Sequence, residues 1–202
     1  KDSQRTALPH IRAIISESSQ DAVILDAATR RNLELTQNLH GGVENTLASI
    51  LDQAATPMGS RLLKRWLHFP LRNITVLSNR QNAIENILTQ DIHHDLNTCL
   101  KGFGDIERII ARIALRSARP RDFARLRNAL AKLPELQEIT ATCQEQHLTQ
   151  LAKQCLPLPK IHALLESAIV ENPPVLIRDG GVIAPGYHEE LDTLRDLSDG
   201  AT

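Results

Sequence analysis

Residues 56–70 constrain the fold of this chain more than any other segment, because they predict a short helix with sharply defined ends. Thr56 can cap the free N–H groups at its start, and Pro57 is favoured at the first helical position. Pro70 stops the helix. Apolar side chains fall at helical spacing along one face: Met58, Leu62, Leu63, Trp66 and Leu67. The pattern predicts a buried core helix that acts as a packing hub, anchored by Trp66, the single tryptophan of the chain.

The rest of the sequence is dominated by helical periodicity. The 202 residues include 3 Phe, 1 Trp and 1 Tyr, so a core has to be built mainly from Leu, Ile, Val and Ala. Long i, i+3, i+4 patterns with few strand-like runs predict an all-α, multi-helix protein. Besides the segment described above, helices are predicted at about 46–54, 73–88, 91–100, 105–117, 120–133, 135–155, 161–169 and from 187 onward.

One segment near the C-terminal end departs from the helical pattern. Residues 175–178 and 182–184 are short apolar runs, and they flank the sequence Asp-Gly-Gly at 179–181. Glycine and aspartate tolerate the positive φ angles that a tight turn needs. The sequence therefore predicts a small β-hairpin here, followed by an amphipathic helix that begins at Tyr187.

Composition narrows the class of protein. The chain carries 23 Lys and Arg against 24 Asp and Glu, so no overall basic excess indicates nucleic-acid binding. Cys99, Cys143 and Cys155 are scattered and odd in number, which favours a reducing compartment over a disulfide scaffold. No apolar run approaches the length of a membrane span. Because the chain begins at Lys1, we interpret it as a piece of a longer protein.

Sequence motifs for catalysis or metal binding are not found. The spacing of Gly181 and Gly186 is the nearest match to a phosphate-binding loop, but Tyr187 and His188 stand where Lys and a hydroxyl residue are needed. There is no Gly-x-Ser-x-Gly turn and no His-Glu-x-x-His helix. The adjacent residues His93 and His94 would point about 100° apart on a helix and so would not share a metal ion. We therefore expect no catalytic, cofactor-binding or metal-binding residue in this chain.

The charge is uneven in one stretch only, residues 101–132, which contains nine basic and three acidic residues. Arg108, Arg112 and Arg116 follow one another at intervals of four and form one stripe of a predicted helix. One interpretation is a solvated face with ion pairs to acidic helices elsewhere. The alternative is a candidate nucleic-acid-binding surface that meets duplex phosphates. The lack of interleaved aromatic residues argues against single-strand binding.

Several segments together resemble the core, or lever, domain of the bacterial MutS family of DNA mismatch-repair proteins. They are DAATRRNLEL at 26–35, TLASILD at 46–52, TPMGSRLLKRWL at 56–67, Pro70-Leu71, GDIERI at 104–109, RSARPRD at 116–122 and DGGVI at 179–183, with Tyr187, Glu189, Glu190 and Leu191. The similarity runs in register from about residue 8 to residue 202. It implies a helical domain in the middle of a larger protein.

The resemblance also implies a division of the chain and a role. Residues 1–16 would end a preceding connector region, residues 17–186 would form the helical core domain, and residues 187–202 would start a lever helix that leads to an absent clamp. The implied function is a mechanical one, coupling an ATPase domain to the DNA clamp. The full-length parent would be a DNA-dependent ATPase that uses ATP and Mg, binds mismatched double-stranded DNA, forms homo-oligomers and meets a MutL-type repair partner.

Two features of that family are missing from this sequence. None of the three Phe residues is followed by the x-Glu of a mismatch-reading motif, and the phosphate-binding loop is absent. We therefore expect a fragment that is not itself an enzyme, with no cofactor of its own and no membrane contact, from a bacterial cytoplasmic, nucleoid-associated protein. Two alternatives stay open: a duplex-DNA-binding module that uses Arg108, Arg112 and Arg116, and a helical protein-interaction scaffold.

Overall fold

A computed structural model describes residues 22–199 of the chain, and it is predominantly helical. The α-helices are α1 Ala27–Asn32, α2 Leu47–Leu51, α3 Pro57–His68, α4 Ile74–Thr89, α5 His93–Lys101, α6 Ile106–Ala114, α7 Pro120–Ala131, α8 Leu133–Thr140, α9 Gln146–Gln154, α10 Pro159–Ala168 and α11 Glu189–Asp199. A short 3-10 helix spans Ile177–Asp179. The all-α prediction is confirmed for this part of the chain.

Side-chain caps start several of these helices where the sequence predicts them. Thr46 accepts a hydrogen bond from the Ser49 N–H at 3.2 Å, and Thr56 accepts one from Gly59 at 3.1 Å. Asn73 caps α4 in the same way. Each cap satisfies one of the N–H groups that a helix start leaves unpaired, so these helix starts are fixed by local sequence.

The hydrophobic core lies in the second half of the fold. Its buried residues come from α5 and the turn after it, α7, α8 and α10: Cys99, Phe103, Ala129, Leu130, Leu133 and Leu165. Side chains of Leu100, Ile106, Phe123, Leu126 and Leu136 pack around this cluster. The core is aliphatic with a single buried phenylalanine, as the scarcity of aromatic residues predicts.

The prediction that α3 is a buried hub anchored by Trp66 is wrong. No residue of α3 is buried, and Trp66 keeps 39% of its surface exposed. The guanidinium of Arg80 covers one face of the indole at 3.8 Å from the ring centroid, an arrangement typical of half-exposed aromatic side chains. An apolar stripe shows which face of a helix turns toward its neighbours, but it does not show how completely those neighbours cover it.

The predicted β-hairpin over 175–184 is also wrong. Gly180 and Gly181 do adopt the expected positive φ values, 72° and 64°, but the segment before them forms the 3-10 helix rather than a strand. Ile183 instead forms an isolated antiparallel bridge with Ile169, just after α10. Val170 N–H donates to the Val182 carbonyl, and Ala184 N–H donates to that of Ala168. Only the second run, 182–184, is extended, and it pairs with the chain at the end of α10 rather than with the first run.

One predicted helix is divided in the structure, and one predicted region cannot be compared with it. The stretch at 135–155, predicted as one weak helix, is divided into α8 and α9 by a non-helical break after Thr140. The predicted connector end at 1–16 lies outside the described residues. Within residues 22–199, no helix has the length and apolar character needed to cross a bilayer.

Candidate functional site

The basic stretch at 101–132 and its neighbours form a series of charge-assisted contacts between helices. The first contact joins α3 to the start of α6. Arg61 donates to both carboxylate oxygens of Asp105, at 2.8 and 2.7 Å, and also to Glu107 at 2.6 Å. The hydrogen bonds from Arg61 lower the pKa of Asp105 to about 2. A two-pronged guanidinium–carboxylate pair of this kind fixes geometry as well as supplying energy.

The second contact joins α6 to α7. Arg112 donates to both oxygens of Asp122, at 2.9 and 2.6 Å, and the Asp122 carboxylate also accepts the Arg119 N–H at the start of α7. Asp122 is 6% exposed, so its charge requires these donors. The hydrogen bonds from Arg112 hold the pKa of Asp122 below its usual range despite burial, and they raise the pKa of Arg112.

The third contact joins α7 to the chain just after α10. Arg127 is 8% exposed, and its guanidinium donates to three consecutive backbone carbonyls: Ile169 at 2.8 Å, Val170 at 3.3 Å and Glu171 at 3.1 Å. Carbonyls just past a helix end lack intrahelical partners, and a buried planar guanidinium can satisfy several at once. Nearby, Arg121 donates to the Pro173 carbonyl at 3.2 Å.

The fourth contact reaches α11. The antiparallel bridge places Ile183 beside Ile169, and Arg195 of α11 donates to the Ile183 carbonyl at 2.9 Å. Asp192, one turn earlier, accepts from Arg195 at 3.1 Å. The four arginines Arg61, Arg112, Arg127 and Arg195, together with their acceptors, are called the polar relay below. The relay connects α3 to α11 through α6, α7 and the end of α10.

The three arginines predicted as a DNA-binding stripe have three different environments. Arg112 is engaged in the polar relay. Arg108 is 68% exposed at its side chain and lies 3.4 Å from Asp105. Arg116 follows the end of α6 in left-handed backbone, φ 54°, and its side chain has no ion pair within residues 22–199. Arg112 therefore has a structural partner, whereas Arg108 and Arg116 are exposed. Nucleic-acid binding by the three arginines stays a prediction.

Sequence reasoning missed Arg61, Arg127 and Arg195. A signal for Arg127 was present, because it shares the apolar stripe of α7 with Phe123, Leu126 and Leu130. A cation in such a stripe is buried and needs acceptors. Arg61 carried no comparable local signal, since its acceptors lie more than forty positions away.

Other residues considered for chemistry do not assemble a reactive site in the described part of the chain. No group of three or more His, Cys, Asp or Glu side chains is arranged to hold a metal ion there. The rings of His93 and His94 stack on each other at 5.1 Å. Cys99 and Cys143 are buried, and burial raises the pKa of both thiols, so neither is an activated nucleophile.

A comparison with protein families agrees with these features. The family model for MutS domain III matches residues 28–200, which is most of the chain and includes every helix of the polar relay. That domain is the core domain of MutS mismatch-repair proteins. The helical architecture, the aliphatic core and the family match point the same way, and we conclude that this chain belongs to the MutS family, as a core domain.

Proposed function

We propose that this chain is the non-catalytic mechanical core of a DNA mismatch-recognition ATPase, and that it couples the ATPase domain to the DNA clamp. The parent protein would bind mismatched double-stranded DNA, hydrolyse ATP with Mg as a homo-oligomer, and meet a MutL-type partner at the bacterial nucleoid. This chain would supply the rigid connection, with α11 as the first part of the lever. Membership of the family supports this proposal, because MutS domain III is the core domain of mismatch-repair proteins.

The observation that carries the proposal is the continuity of the polar relay. A mechanical domain has to move its elements as a unit, and that requires contacts with discrete, well-defined geometry. The relay provides two bidentate guanidinium–carboxylate pairs and one guanidinium fixed by three carbonyls. Its last member, Arg195, connects α11 to the Ile183 carbonyl, and Ile183 pairs with Ile169 just after α10, so a displacement of the α10 end would be passed to α11.

Substitution at the α11 end of the relay tests the proposal with little risk of unfolding, because Arg195 is partly exposed. In the parent protein, we expect Arg195→Gln to keep the rate of ATP hydrolysis within about twofold. We expect the rate of ATP-induced release of mismatched DNA to fall about tenfold, which corresponds to the loss of one charge-assisted contact. Stopped-flow fluorescence with labelled heteroduplex measures release, and phosphate production measures hydrolysis.

Arg178→Gln is the matched control, since it removes the same charge from an exposed side chain outside the relay. Its release rate should equal that of the unchanged protein. If Arg195→Gln hydrolyses ATP and releases DNA at normal rates, the relay does not carry the coupling. If it loses hydrolysis as well, the substitution acts on the ATPase itself and the coupling proposal fails for this helix.

A second candidate function, direct duplex binding, is favoured by the exposure of Arg108 and Arg116. Both could meet phosphates, and such binding would fall steeply with salt. Anisotropy titrations of the 202-residue chain against matched and mismatched duplexes test it. We expect weak, salt-sensitive binding without mismatch preference. A clear mismatch preference would place recognition in this chain and contradict its mechanical assignment.

A further inference from the structure

A cavity of about 680 Å³ lies between α1, the loop at 36–41 and the end of α3. Its wall combines two cations with small polar and apolar groups: Leu25, Arg30, Arg31, Thr36, Leu39 and His68. None of these residues takes part in the polar relay, and the cavity is not explained by the coupling role. Its size is within the usual range of pockets for small ligands.

Arg30 has an unmet hydrogen-bonding requirement in this wall. Its Nε is buried and has no hydrogen-bond partner within residues 22–199. The guanidinium carbon lies 5.4 Å from the centroid of the Phe69 ring, a contact that holds the side chain without satisfying its N–H groups. A buried N–H donor that lacks an acceptor costs free energy, so a partner supplied from outside the described chain would be stabilising.

The carboxylates closest to Arg30 and Arg31 in sequence accept hydrogen bonds from backbone N–H groups instead of forming ion pairs with these arginines. Asp26 is used as the cap of α1, where it accepts the Thr29 N–H at 2.6 Å. Glu34 accepts the Leu39 N–H at 2.7 Å. Within residues 22–199, neither Arg30 nor Arg31 forms an ion pair. In the described part of the chain, two adjacent guanidinium groups therefore line the cavity without a carboxylate partner.

The opposite wall is held in place by its own hydrogen bonds. The Thr36 hydroxyl and His68 Nε2 lie 2.9 Å apart, which ties the loop to the end of α3. The side chain of Asn38 bonds Glu44, His40 and Gly42, and it thereby fixes the course of the loop. The cavity is preformed, and a ligand would not have to order the loop before binding.

We propose that this cavity binds a phosphate group, held by the guanidinium groups of Arg30 and Arg31. A planar guanidinium presents paired N–H donors that match phosphate oxygens, and two of them can neutralise a phosphate dianion. The phosphate could be free, part of a nucleotide, or part of a DNA backbone. This inference does not depend on the coupling function, because it concerns residues outside the relay.

Calorimetric titration of the 202-residue chain with inorganic phosphate, in a phosphate-free buffer of constant ionic strength, tests the proposal. Loss of one charge-assisted contact should weaken binding about tenfold in Arg31→Gln and in Arg30→Gln. Arg31 is exposed, so its replacement leaves the fold intact and alone decides the result if Arg30→Gln is unstable. Arg178→Gln, which removes one charge far from the cavity wall in sequence, should bind as the unchanged chain does.

Further titrations identify the source of the phosphate. Tighter binding of a 5′-mononucleotide than of inorganic phosphate would indicate a nucleotide site, and duplex binding that is lost in Arg31→Gln would indicate a DNA backbone phosphate. The proposal is overturned if inorganic phosphate does not bind, if Arg31→Gln binds it as well as the unchanged chain, or if acetate binds equally tightly. The last result would assign the cavity to a carboxylate.

Discussion

Two helices of this domain, α3 and α7, have the same length and both begin with proline, but they differ strongly in burial. Each spans 12 residues and carries proline in its first turn. α7 buries six residues, including Asp122 and Arg127, whereas α3 buries none. The difference shows that amphipathic pattern and capping form a helix, while its burial depends on how many other elements surround it.

The charged side chains of the two helices also differ in burial. α7 packs against α6, α8 and α10, and its buried charges meet partners from two of these neighbours. α3 has no buried charge, and its ion pair to Asp105 is made by Arg61, whose side chain is 36% exposed. A contact in the first environment is protected from water and should contribute more to stability than one in the second.

Replacement of Arg127 should have the largest effect. Arg127→Met keeps most of the side-chain volume but leaves three backbone carbonyls without their donor, so we expect a loss of about 3 kcal/mol in the free energy of unfolding. Urea denaturation followed by circular dichroism measures it. Arg125→Met, on the exposed face of the same helix, is the control and should cost under about 0.5 kcal/mol.

If Arg127→Met and Arg125→Met lower the free energy of unfolding by similar amounts, burial of the arginine does not decide its contribution to stability. A loss under about 1 kcal/mol for Arg127→Met would mean that water satisfies the carbonyls, and the contrast with α3 would then lose its main support.

Acid should weaken the α6–α7 contact in the unchanged protein, because Asp122 can be protonated. The Asp122→Asn variant has no carboxyl group at this position and should not show this pH dependence. The pKa of Asp122 is lowered in the folded state by Arg112, so the pair contributes stability above the unfolded pKa of about 4 and loses it as the pH falls through the lower folded value. At pH 7 we expect Asp122→Asn to cost about 2 kcal/mol. Denaturation curves between pH 7 and pH 2 measure how the two proteins differ.

That difference should shrink steadily below about pH 4, because protonated aspartate resembles asparagine in charge. Asp105→Asn provides the comparison with α3, and we expect a smaller cost at pH 7, since its partner Arg61 is more exposed to solvent. A difference for Asp122→Asn that stays constant down to pH 2 would show that the charge of Asp122 is not what holds α6 to α7.

Replacement of Trp66 should have the smallest effect of the three. A buried tryptophan would cost about 3–5 kcal/mol on truncation to alanine. Because Trp66 is 39% exposed and one face of its ring contacts Arg80, we expect about 1–2 kcal/mol for Trp66→Ala in this chain. Thermal melts of the variant measure the loss of stability. A loss of the size expected for a buried tryptophan would support the original prediction that α3 is a packing hub.

Much of the local structure was predictable from the sequence. Thr46, Thr56 and Asn73 cap helices at the predicted places, and the glycines at 180 and 181 adopt the predicted positive φ. The stripe at 108, 112 and 116 was predictable as a pattern, but the sequence did not show that only Arg112 has a buried partner. Local predictions succeeded because a cap or a turn depends on residues a few positions apart.

The sequence by itself determined that the chain is helical, where most helices start, that its core is aliphatic, and which family it resembles. The tertiary structure alone decided that the core lies among α5, α7, α8 and α10 rather than under Trp66, and that residues 182–184 pair with 168–170. It also selected Arg61, Arg127 and Arg195 as connecting residues. The physical reason is separation along the chain: many polar acceptors are available to each arginine, and only packing of distant segments determines which one lies within reach.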